Sequence, residues 1–272
     1  LMVYRNHNNL DLVNLVQNQK IEDHLASLQY ARMIQKALLP EPEIMKGLFK
    51  DYFVLFLPRD IVSGDFYYVF SRNQYICVAA GDCTGHGVPG ALLSILGISF
   101  LNDILQLKSD PKANRILNLM REKVMKALHQ TGEKAETKDS IDIGLCIVDP
   151  ANGKLQFSGA NRPLIRMRQG VLSEFKPDKM TIGVAPLREQ PFTNQVLDIM
   201  PGDTFYLYSD GFSDQFGEIS DKKFKQKQLK KLIESMSGLS MSRQKSFLKE
   251  TFYQWKGNCQ QIDDVLIFGF QI

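Results

Sequence analysis

The period of hydrophobic positions changes near residue 40, and this change divides the chain into two parts. Residues 8–39 contain neither proline nor glycine, and their apolar residues recur at spacings of three and four. Such spacing predicts one amphipathic helix. Its apolar stripe consists of Ile21, Leu25, Leu28, Ala31, Ile34 and Leu38. Pro40 and Pro42 then end the helix. The narrow stripe suits either a helix pair or a helix packed on the following domain.

From residue 52 onward, short apolar runs bounded by turn residues predict strands, and two pairs of helical segments interrupt them. We predict strands over 52–57, 65–70, 75–80, 141–148, 155–159, 164–168, 171–175, 192–199, 204–208 and 264–271. We predict helices over 88–108, 111–130, 221–237 and 241–256, and a polar loop over 132–139. Helices inserted between antiparallel strands, with two more near the end, indicate an α+β domain built in layers.

Composition and charge narrow the class of protein. A chain of 272 residues has room for one large domain, or for one domain with an appendage. Its 44% hydrophobic and 23% charged residues are ordinary for a globular protein. The formal charge of +3 is too small to indicate a nucleic-acid partner. We predict neither a membrane-spanning run nor a signal peptide. The four cysteines are scattered without C-x-x-C spacing, which favours a reducing cytoplasm over a disulfide framework.

One glycine-rich stretch carries the first candidate chemistry. It reads Ala79-Ala-Gly-Asp-Cys-Thr-Gly-His-Gly-Val-Pro-Gly-Ala91, and it places Asp82 and His86 on a loop between a predicted strand and a predicted helix. A carboxylate in this position suits a hard cation or a phosphate site. The alternative is an ordinary glycine-rich turn in which Asp82 caps the helix.

Three further acidic sites stand at predicted strand ends. They are Asp65, Asp210 and the pair Asp263 and Asp264. An aspartate at a strand end often serves only as a turn former. Four such sites without histidine or cysteine companions instead fit a centre with oxygen ligands, which selects Mg²⁺ or Mn²⁺ over zinc or copper.

These motifs resemble the SpoIIE-like branch of the PPM (type-2C) metal-dependent Ser/Thr protein phosphatases. The resemblance is carried, in order, by Val62-Ser-Gly-Asp-Phe-Tyr67, Gly81-Asp-Cys-Thr-Gly-His-Gly87, Gly159-Ala-Asn-Arg-Pro-Leu164, Tyr208-Ser-Asp-Gly-Phe212 and Asp263-Asp264. It implies a four-layer α/β/β/α sandwich of two antiparallel sheets flanked by helices. Residues 28–40 resemble the linker helix that leads into such domains. We therefore expect a linker or regulatory helix over 1–42 and a phosphatase domain over 43–272. The opening residues start inside a helical pattern, so we expect a fragment of a longer protein, since a sensor domain or a membrane helix often precedes this position in the family.

The resemblance also implies a set of metal ligands. Asp65 and Asp82 would flank two Mn²⁺ or Mg²⁺ ions, together with the backbone carbonyl of Cys83. Asp210 and Asp263 would complete the second ion's shell. A slip of one residue would give that place to Asp264, and this alternative stays open.

Three other polar features have both a functional and an ordinary interpretation. His86 is the nearby side chain that can donate a proton to the leaving oxygen, or it only supports the loop. Arg59 and Arg162 are candidates for holding a phosphate through a bidentate fork, or are ordinary surface or turn residues. The lysine-rich segment 222–231 is a solvated helix face or a docking surface for an acidic partner.

By resemblance, the expected function is hydrolysis of phosphoserine or phosphothreonine on a bacterial regulatory protein. The expected substrate is a STAS-type anti-sigma-factor antagonist, and the N-terminal helix would control activity. We expect a homodimer through residues 8–39, no nucleic-acid partner and no membrane contact. The competing hypotheses are a catalytically silent phosphatase fold that sequesters its partner, and a metal-dependent hydrolase of a small phosphoester.

Overall fold

The computed structural model describes residues 2–107, 110–130, 138–184 and 190–272, with side chains described from residue 14 onward. Most of the predicted polar loop over 132–139 lies outside these residues. The chain begins with a long helix, α1 (Met2–Leu38), and a short one, α2 (Pro42–Lys46). The strands are β1 (Asp51–Leu57), β2 (Phe66–Arg72), β3 (Tyr75–Cys83), β4 (Ile141–Asp149), β5 (Lys154–Ala160), β6 (Leu164–Arg168), β7 (Val171–Phe175), β8 (Gln195–Asp198), β9 (Thr204–Tyr208) and β10 (Val265–Gln271). The remaining helices are α3 (Gly87–Leu107), α4 (Ala113–Ala127), α5 (Gly211–Asp214), α6 (Gln226–Ser235) and α7 (Met241–Lys256).

The strands form two antiparallel sheets, as expected, and each sheet has five strands. One sheet has the order β2-β3-β4-β5-β8, and the other has the order β1-β10-β9-β6-β7. Helices α3 and α4 cover the outer face of the first sheet, and α6 and α7 cover that of the second. The α/β/β/α sandwich is therefore confirmed.

Alternation along the strands explains the layers. Successive side chains of a strand point to opposite faces of its sheet. In β10, Leu266, Phe268 and Phe270 point into the core between the two sheets. Val265 and Ile267 of the same strand pack with α6 and α7. Strand β10 is apolar on both faces because one face packs against the other sheet and the opposite face packs against helices.

Some boundaries differ from the prediction. Helix α6 begins at Gln226 rather than near residue 221. Residues 216–223 instead form a small hairpin, with a bridge between Phe216 and Lys223. Lys225 then has a φ of 73°, which a helix cannot accommodate. The short helices α2 and α5 were not predicted, since neither is long enough to show a period.

Helix α1 packs on the domain through a face that only partly coincides with the predicted stripe. Leu28 and Ala31 are partly buried, and the face continues to the buried Gln35 and Leu39. The other four residues of the stripe remain 41–55% exposed, and they are Ile21, Leu25, Ile34 and Leu38. One part of the helix therefore packs on the domain, as one alternative predicts. The uncovered part stays available for the other alternative, a helix pair.

Helix α3 bears on the prediction that the chain contains no membrane-spanning run. Its 21 residues are long and apolar enough for one by length and composition. However, half of the apolar segment is buried inside the protein. Leu101, Ile104 and Leu105 pack with α4 and the first sheet. These contacts are those of a core helix in a globular domain.

Candidate metal centre

The acidic residues at strand ends meet at one edge of the sandwich. Asp65 directly precedes β2, and Asp82 is the last residue but one of β3. From the other sheet, Asp210 follows β9, and Asp263 stands two residues before β10. Their charges act on one another, since Asp82 raises the pKa of Asp65, and Asp210 and Asp263 raise that of Asp82. The predicted acidic sites therefore form one cluster.

Close backbone contacts bring the contributing loops together. A Cβ atom at Gly211, next to Asp210, would collide with the carbonyl oxygen of Asp264. A Cβ atom at Gly64 would lie 2.7 Å from the carbonyl oxygen of Gly85. Only glycine permits such approaches. These two glycines therefore allow the loops that carry Asp65, Asp82, Asp210 and Asp264 to converge.

Asp65 is one of the two most deeply buried carboxylates of the cluster, since it and Asp264 are each 2% exposed. The Ser209 hydroxyl donates a hydrogen bond of 2.6 Å to the Oδ2 atom of Asp65. Burial raises the pKa of Asp65 well above its usual range, and the charge of Asp82 raises it further. A single neutral hydrogen bond does not compensate a buried carboxylate, so this position suits either a protonated carboxyl or a carboxylate with a cation beside it.

Asp82 stands directly opposite Asp142 in the ladder between β3 and β4. Two like charges at opposed positions destabilise a sheet unless a cation lies between them. Burial raises the pKa of Asp82 to about 7, against the lowering influence of Arg162. Asp142 was not among the predicted site residues.

Arg162 supplies a positive charge inside the cluster. Its Nη2 atom lies 2.9 Å from Asp82, 3.3 Å from Asp142 and 2.7 Å from Asp210. Burial alone would lower the pKa of Arg162, but these carboxylates outweigh burial and raise it. Its Nε atom is also buried, without a hydrogen-bond partner among the described residues. Arg162 does stand in the turn between β5 and β6, but it is buried and not an ordinary surface residue.

The two neighbouring aspartates before β10 have different environments. Asp264 accepts hydrogen bonds of 2.7 Å from two backbone N–H groups, that of Arg59 at Oδ1 and that of Gly64 at Oδ2. Asp263 accepts one hydrogen bond, from the N–H of Asp264. Burial raises the pKa of Asp263, and Asp210 raises it further. The geometry thus favours Asp263 as the carboxylate free to bind a cation, while Asp264 fastens the loop before Asp65.

Cys83 and His86 lie on the glycine-rich loop as expected. The Cys83 thiol is buried, and burial raises its pKa well above the usual range, so it is neutral. His86 lies at the rim, and its Nδ1 atom is 2.9 Å from Oδ2 of Asp60. A carboxylate only accepts hydrogen bonds, so Nδ1 carries the proton in this contact. Arg59, in contrast, directs its Nη1 to the carbonyl of Ile262 at 2.8 Å.

The N-terminal helix reaches this loop system through Gln35. The Gln35 side chain donates to the carbonyl oxygen of Ser63 at 2.6 Å and accepts from the Ser63 N–H at 3.0 Å. It also donates to Ser94 of α3 at 2.9 Å. The Ser63 hydroxyl in turn accepts a hydrogen bond from the N–H of Asp65. Ser63, which Gln35 contacts, is therefore two positions before Asp65 in the chain and hydrogen-bonded to it.

The donor set fits hard divalent cations. The cluster contains six carboxylates, one arginine and no sulfur or imidazole ligand at its centre, and such oxygen donors suit Mg²⁺ or Mn²⁺. Among the residues that the structure describes, no group of three or more acidic, histidine or cysteine side chains is placed closely enough to hold a metal ion. The guanidinium of Arg162 holds Asp82 and Asp210 instead. The six carboxylates are Asp65, Asp82, Asp142, Asp210, Asp263 and Asp264.

A comparison of the sequence with models of protein families identifies the family of this chain. The profile of the family described as Stage II sporulation protein E (SpoIIE) matches residues 72–272. The chain belongs to the SpoIIE family. No match was found among curated protein sequences.

Solved structures agree with the SpoIIE-family fold. The SiaA-PP2C domain of Pseudomonas aeruginosa is 29% identical, with a TM-score of 0.82 over 94% of this chain and 98% of that one. The PP2C phosphatase domain of SpoIIE from Bacillus subtilis, solved with a fragment of its regulatory domain, is 18% identical, with a TM-score of 0.62 over 82% and 63%. The serine/threonine phosphatase PstP/Ppp of Mycobacterium tuberculosis is 14% identical, with a TM-score of 0.56 over 81% and 97%. This SpoIIE-family chain therefore has the PP2C phosphatase fold.

Sequence reasoning missed three residues of the SpoIIE-family site. Asp142 lies inside a predicted strand, where an acidic residue between isoleucines was the available signal. Gln35 is a polar residue on the same face of the helix as Leu28 and Ala31. Its burial is evident only from the structure. Ser209 precedes Asp210 and carried no signal of its own.

Proposed function

We propose that this protein is a Mg²⁺- or Mn²⁺-dependent protein Ser/Thr phosphatase. The observation that carries the proposal is the convergence of carboxylates from both sheets into one buried, mutually repelling cluster. Raised pKa values at Asp65, Asp82 and Asp263 are the electrostatic sign of missing positive charge. Membership of the SpoIIE family and the PP2C fold support the same conclusion.

In this proposal, four carboxylates and one backbone carbonyl hold the cations. They belong to Asp65, Asp82, Asp210, Asp263 and Cys83. When bound, two such ions activate a water molecule and neutralise the phosphoryl oxygens. Asp264 is not assigned to the ions, since each of its oxygens accepts a backbone hydrogen bond whereas Asp263 accepts only one in all. The part of Asp264 is to keep the loop of Asp65 in place.

Two side chains are assigned to the substrate. Arg162 lies within the cluster, and its guanidinium would bind a phosphoryl oxygen of the substrate where it now holds Asp82 and Asp210. His86 stands at the rim, where it is oriented by Asp60, and its ring can donate a proton to the leaving seryl or threonyl oxygen.

The substrate proposed on family grounds is a phosphorylated STAS-type anti-sigma-factor antagonist. We assign residues 43–272 to the phosphatase domain and residues 1–42 to a regulatory helix. The four cysteines are free thiols in the structure, which agrees with a reducing cytoplasm as the place of action.

Control by the N-terminal helix is proposed to act through Gln35. If α1 shifts, the Gln35 amide leaves the backbone of Ser63, and the loop that carries Asp65 loses a support. The exposed Ile21 and Leu25 supply an apolar surface for a second copy of the helix. Homodimerisation through residues 8–39 would thereby set the position of α1 on the domain.

A silent phosphatase fold that only sequesters its partner remains the second candidate function. One observation favours it, namely that Arg162 already holds Asp82 and Asp210. A guanidinium that cannot leave these carboxylates would keep divalent ions out.

Phosphate release decides between the candidates. The purified chain is incubated with a phosphoserine-bearing STAS-domain protein, with a phosphothreonine peptide and with free nucleotides, each with Mn²⁺, Mg²⁺ or EDTA. We expect metal-dependent release from the phosphoprotein and none with EDTA. Binding of the phosphoprotein without release supports the silent fold, and release only from nucleotides supports a small-molecule hydrolase. Each of these results contradicts the proposal.

A further inference from the structure

Strand β1 is an edge strand of its sheet, since it pairs only with β10. In β10, the carbonyl of Leu266 accepts a hydrogen bond from the N–H of Ser209, which follows β9. The N–H and C=O of a strand residue point to the same side, and this side alternates along the strand. Even-numbered residues of β10 therefore face β9, and odd-numbered ones face β1.

The register then shows which groups of β1 face outward. Leu55 pairs with Ile267 and Phe53 with Gly269, so odd-numbered residues of β1 face β10. Even-numbered residues, among them Val54 and Phe56, direct their N–H and C=O away from the sheet. The third even-numbered residue, Tyr52, directs its N–H to the carboxylate of Asp51 instead. No outward hydrogen bond of Val54 or Phe56 occurs among the described residues.

These unpaired groups lie in a groove. A cavity of about 710 Å³ runs along β1 between α2 and α7. A second cavity of about 180 Å³ continues it toward α1, and both are lined by Phe56 and Tyr67. Outward positions along a strand are two residues apart, about 6.6 Å, so the two of Val54 and Phe56 suit an added strand of about three to five residues.

Positive charges flank the groove. Lys245 and Lys249 line it from α7, and Arg32 and Lys36 line its continuation from α1. None of these four forms an ion pair with another described residue, in contrast to Lys46, which is paired with Glu43. The carboxylate in the lining, that of Asp51, already accepts from the N–H groups of Tyr52 and Met241.

We propose that this groove binds an extended acidic segment of a partner protein, which adds to β1 as a further strand. The backbone of Val54 and Phe56 would give the main-chain hydrogen bonds, as in other cases of strand addition. The four unpaired cations would select acidic side chains on the segment. The groove is separate from the acidic cluster, so the proposal does not depend on phosphatase activity.

Charge also argues against a second copy of this chain as the occupant. If two β1 strands paired across a two-fold axis, each groove would bring its cations against those of the other. Such like-charge contact opposes association. An acidic partner removes this repulsion, and natural edge strands are seldom left open without protection.

Fluorescence anisotropy with model peptides tests the proposal. The probe is a labelled peptide of alternating glutamate and valine, seven residues long, added to the whole chain at low ionic strength. A lysine–valine peptide controls for charge, and an acidic peptide with proline in place of the central valine controls for strand formation. We expect binding of the first peptide only, weakened by salt. Equal binding of the proline peptide, or no binding of the acidic one, overturns the proposal.

Two variants locate the site. Val54→Pro removes only an outward N–H, a change that edge strands tolerate. Lys245→Glu with Lys249→Glu reverses two surface charges and leaves the strand intact, so it remains informative if the first variant does not fold. Each should weaken binding about tenfold or more.

The matched control is Lys222→Glu with Lys231→Glu, which reverses two exposed lysines elsewhere and should change the affinity less than about twofold. Equal weakening by the control assigns the binding to general attraction and overturns the proposal. Sedimentation equilibrium tests whether a second copy of the chain occupies the groove instead. Self-association that Val54→Pro abolishes would show such a copy and overturn the proposal.

Discussion

Asp264 accepts a hydrogen bond of 2.7 Å at Oδ2 from the backbone N–H of Gly64, although 200 residues separate them. This contact joins the start of β10 to the loop that positions Asp65. The neighbouring Asp263 makes no such contact, and the charge of Asp210 helps to raise its pKa. Two aspartates adjacent in sequence therefore have separable roles.

Substitution should separate these two roles. Asp264→Asn places an amide where two backbone N–H groups require acceptors, so the free energy of unfolding should fall by about 1–3 kcal/mol. Asp263→Asn should leave that free energy within about 0.5 kcal/mol and weaken Mn²⁺ binding instead. Denaturant unfolding and calorimetric titration with Mn²⁺ measure the two effects. The reverse pattern would show that Asp264 is the ligand.

Asp82→Asn and Asp210→Asn should each nearly abolish metal-dependent phosphate release. Removal of one carboxylate unbalances the charge and geometry of a two-ion centre more than it disturbs packing. Asp82→Asn also relieves the repulsion with Asp142, so the metal-free variant should melt no lower than the parent. Asp103→Asn, on the exposed side of α3, is the control. Parental turnover in either site variant with Mn²⁺ would refute the assignment.

His86→Ala should reduce the rate by about 10- to 100-fold if His86 is the general acid. Its pH–rate profile should then differ in shape from that of the parent, and so should that of Asp60→Asn, which removes the partner of the ring Nδ1. Both side chains are about half exposed, at 47% and 43%, so stability should not change. A lower melting temperature with an unchanged profile would instead show that His86 only supports the loop.

Gln35→Ala should lower kcat about tenfold without an equal change in KM, because it removes both hydrogen bonds to the Ser63 backbone but touches no substrate. The buried backbone groups left without partners should also cost about 1–3 kcal/mol of stability. Gln29→Ala, at an exposed position of the same helix, is the matched control. If both variants keep parental kinetics, helix α1 does not act through Gln35.

Ile21→Asp with Leu25→Asp should weaken self-association without loss of stability, since both side chains are exposed on the free part of α1. Tyr30→Asp is the control, because position 30 lies on the opposite side of the helix from position 21. Sedimentation velocity over a range of concentrations measures the association. An unchanged mass in the double variant would refute dimerisation through this face.

Much of the architecture follows from the sequence alone. Apolar periodicity placed the long strands and helices, because burial of one face imposes a period of 2 or 3.6. The acidic motifs also predicted most aspartates of the cluster. Each motif lies at a strand end, and the turn residues that mark a strand end are visible in the local sequence. The resemblance carried by these motifs then gave the sandwich and the family.

Only the tertiary structure placed Arg162, Asp142 and Gln35. Arg162 belongs to an ordinary turn in sequence, and its burial depends on two strands from different sheets. Asp142 becomes important because the register sets it opposite Asp82. Gln35 is one polar residue among many in a helix, and it is set apart by a loop 28 residues away. The distinction between Asp263 and Asp264 has the same origin, since hydrogen bonds across the fold are not a property of local sequence.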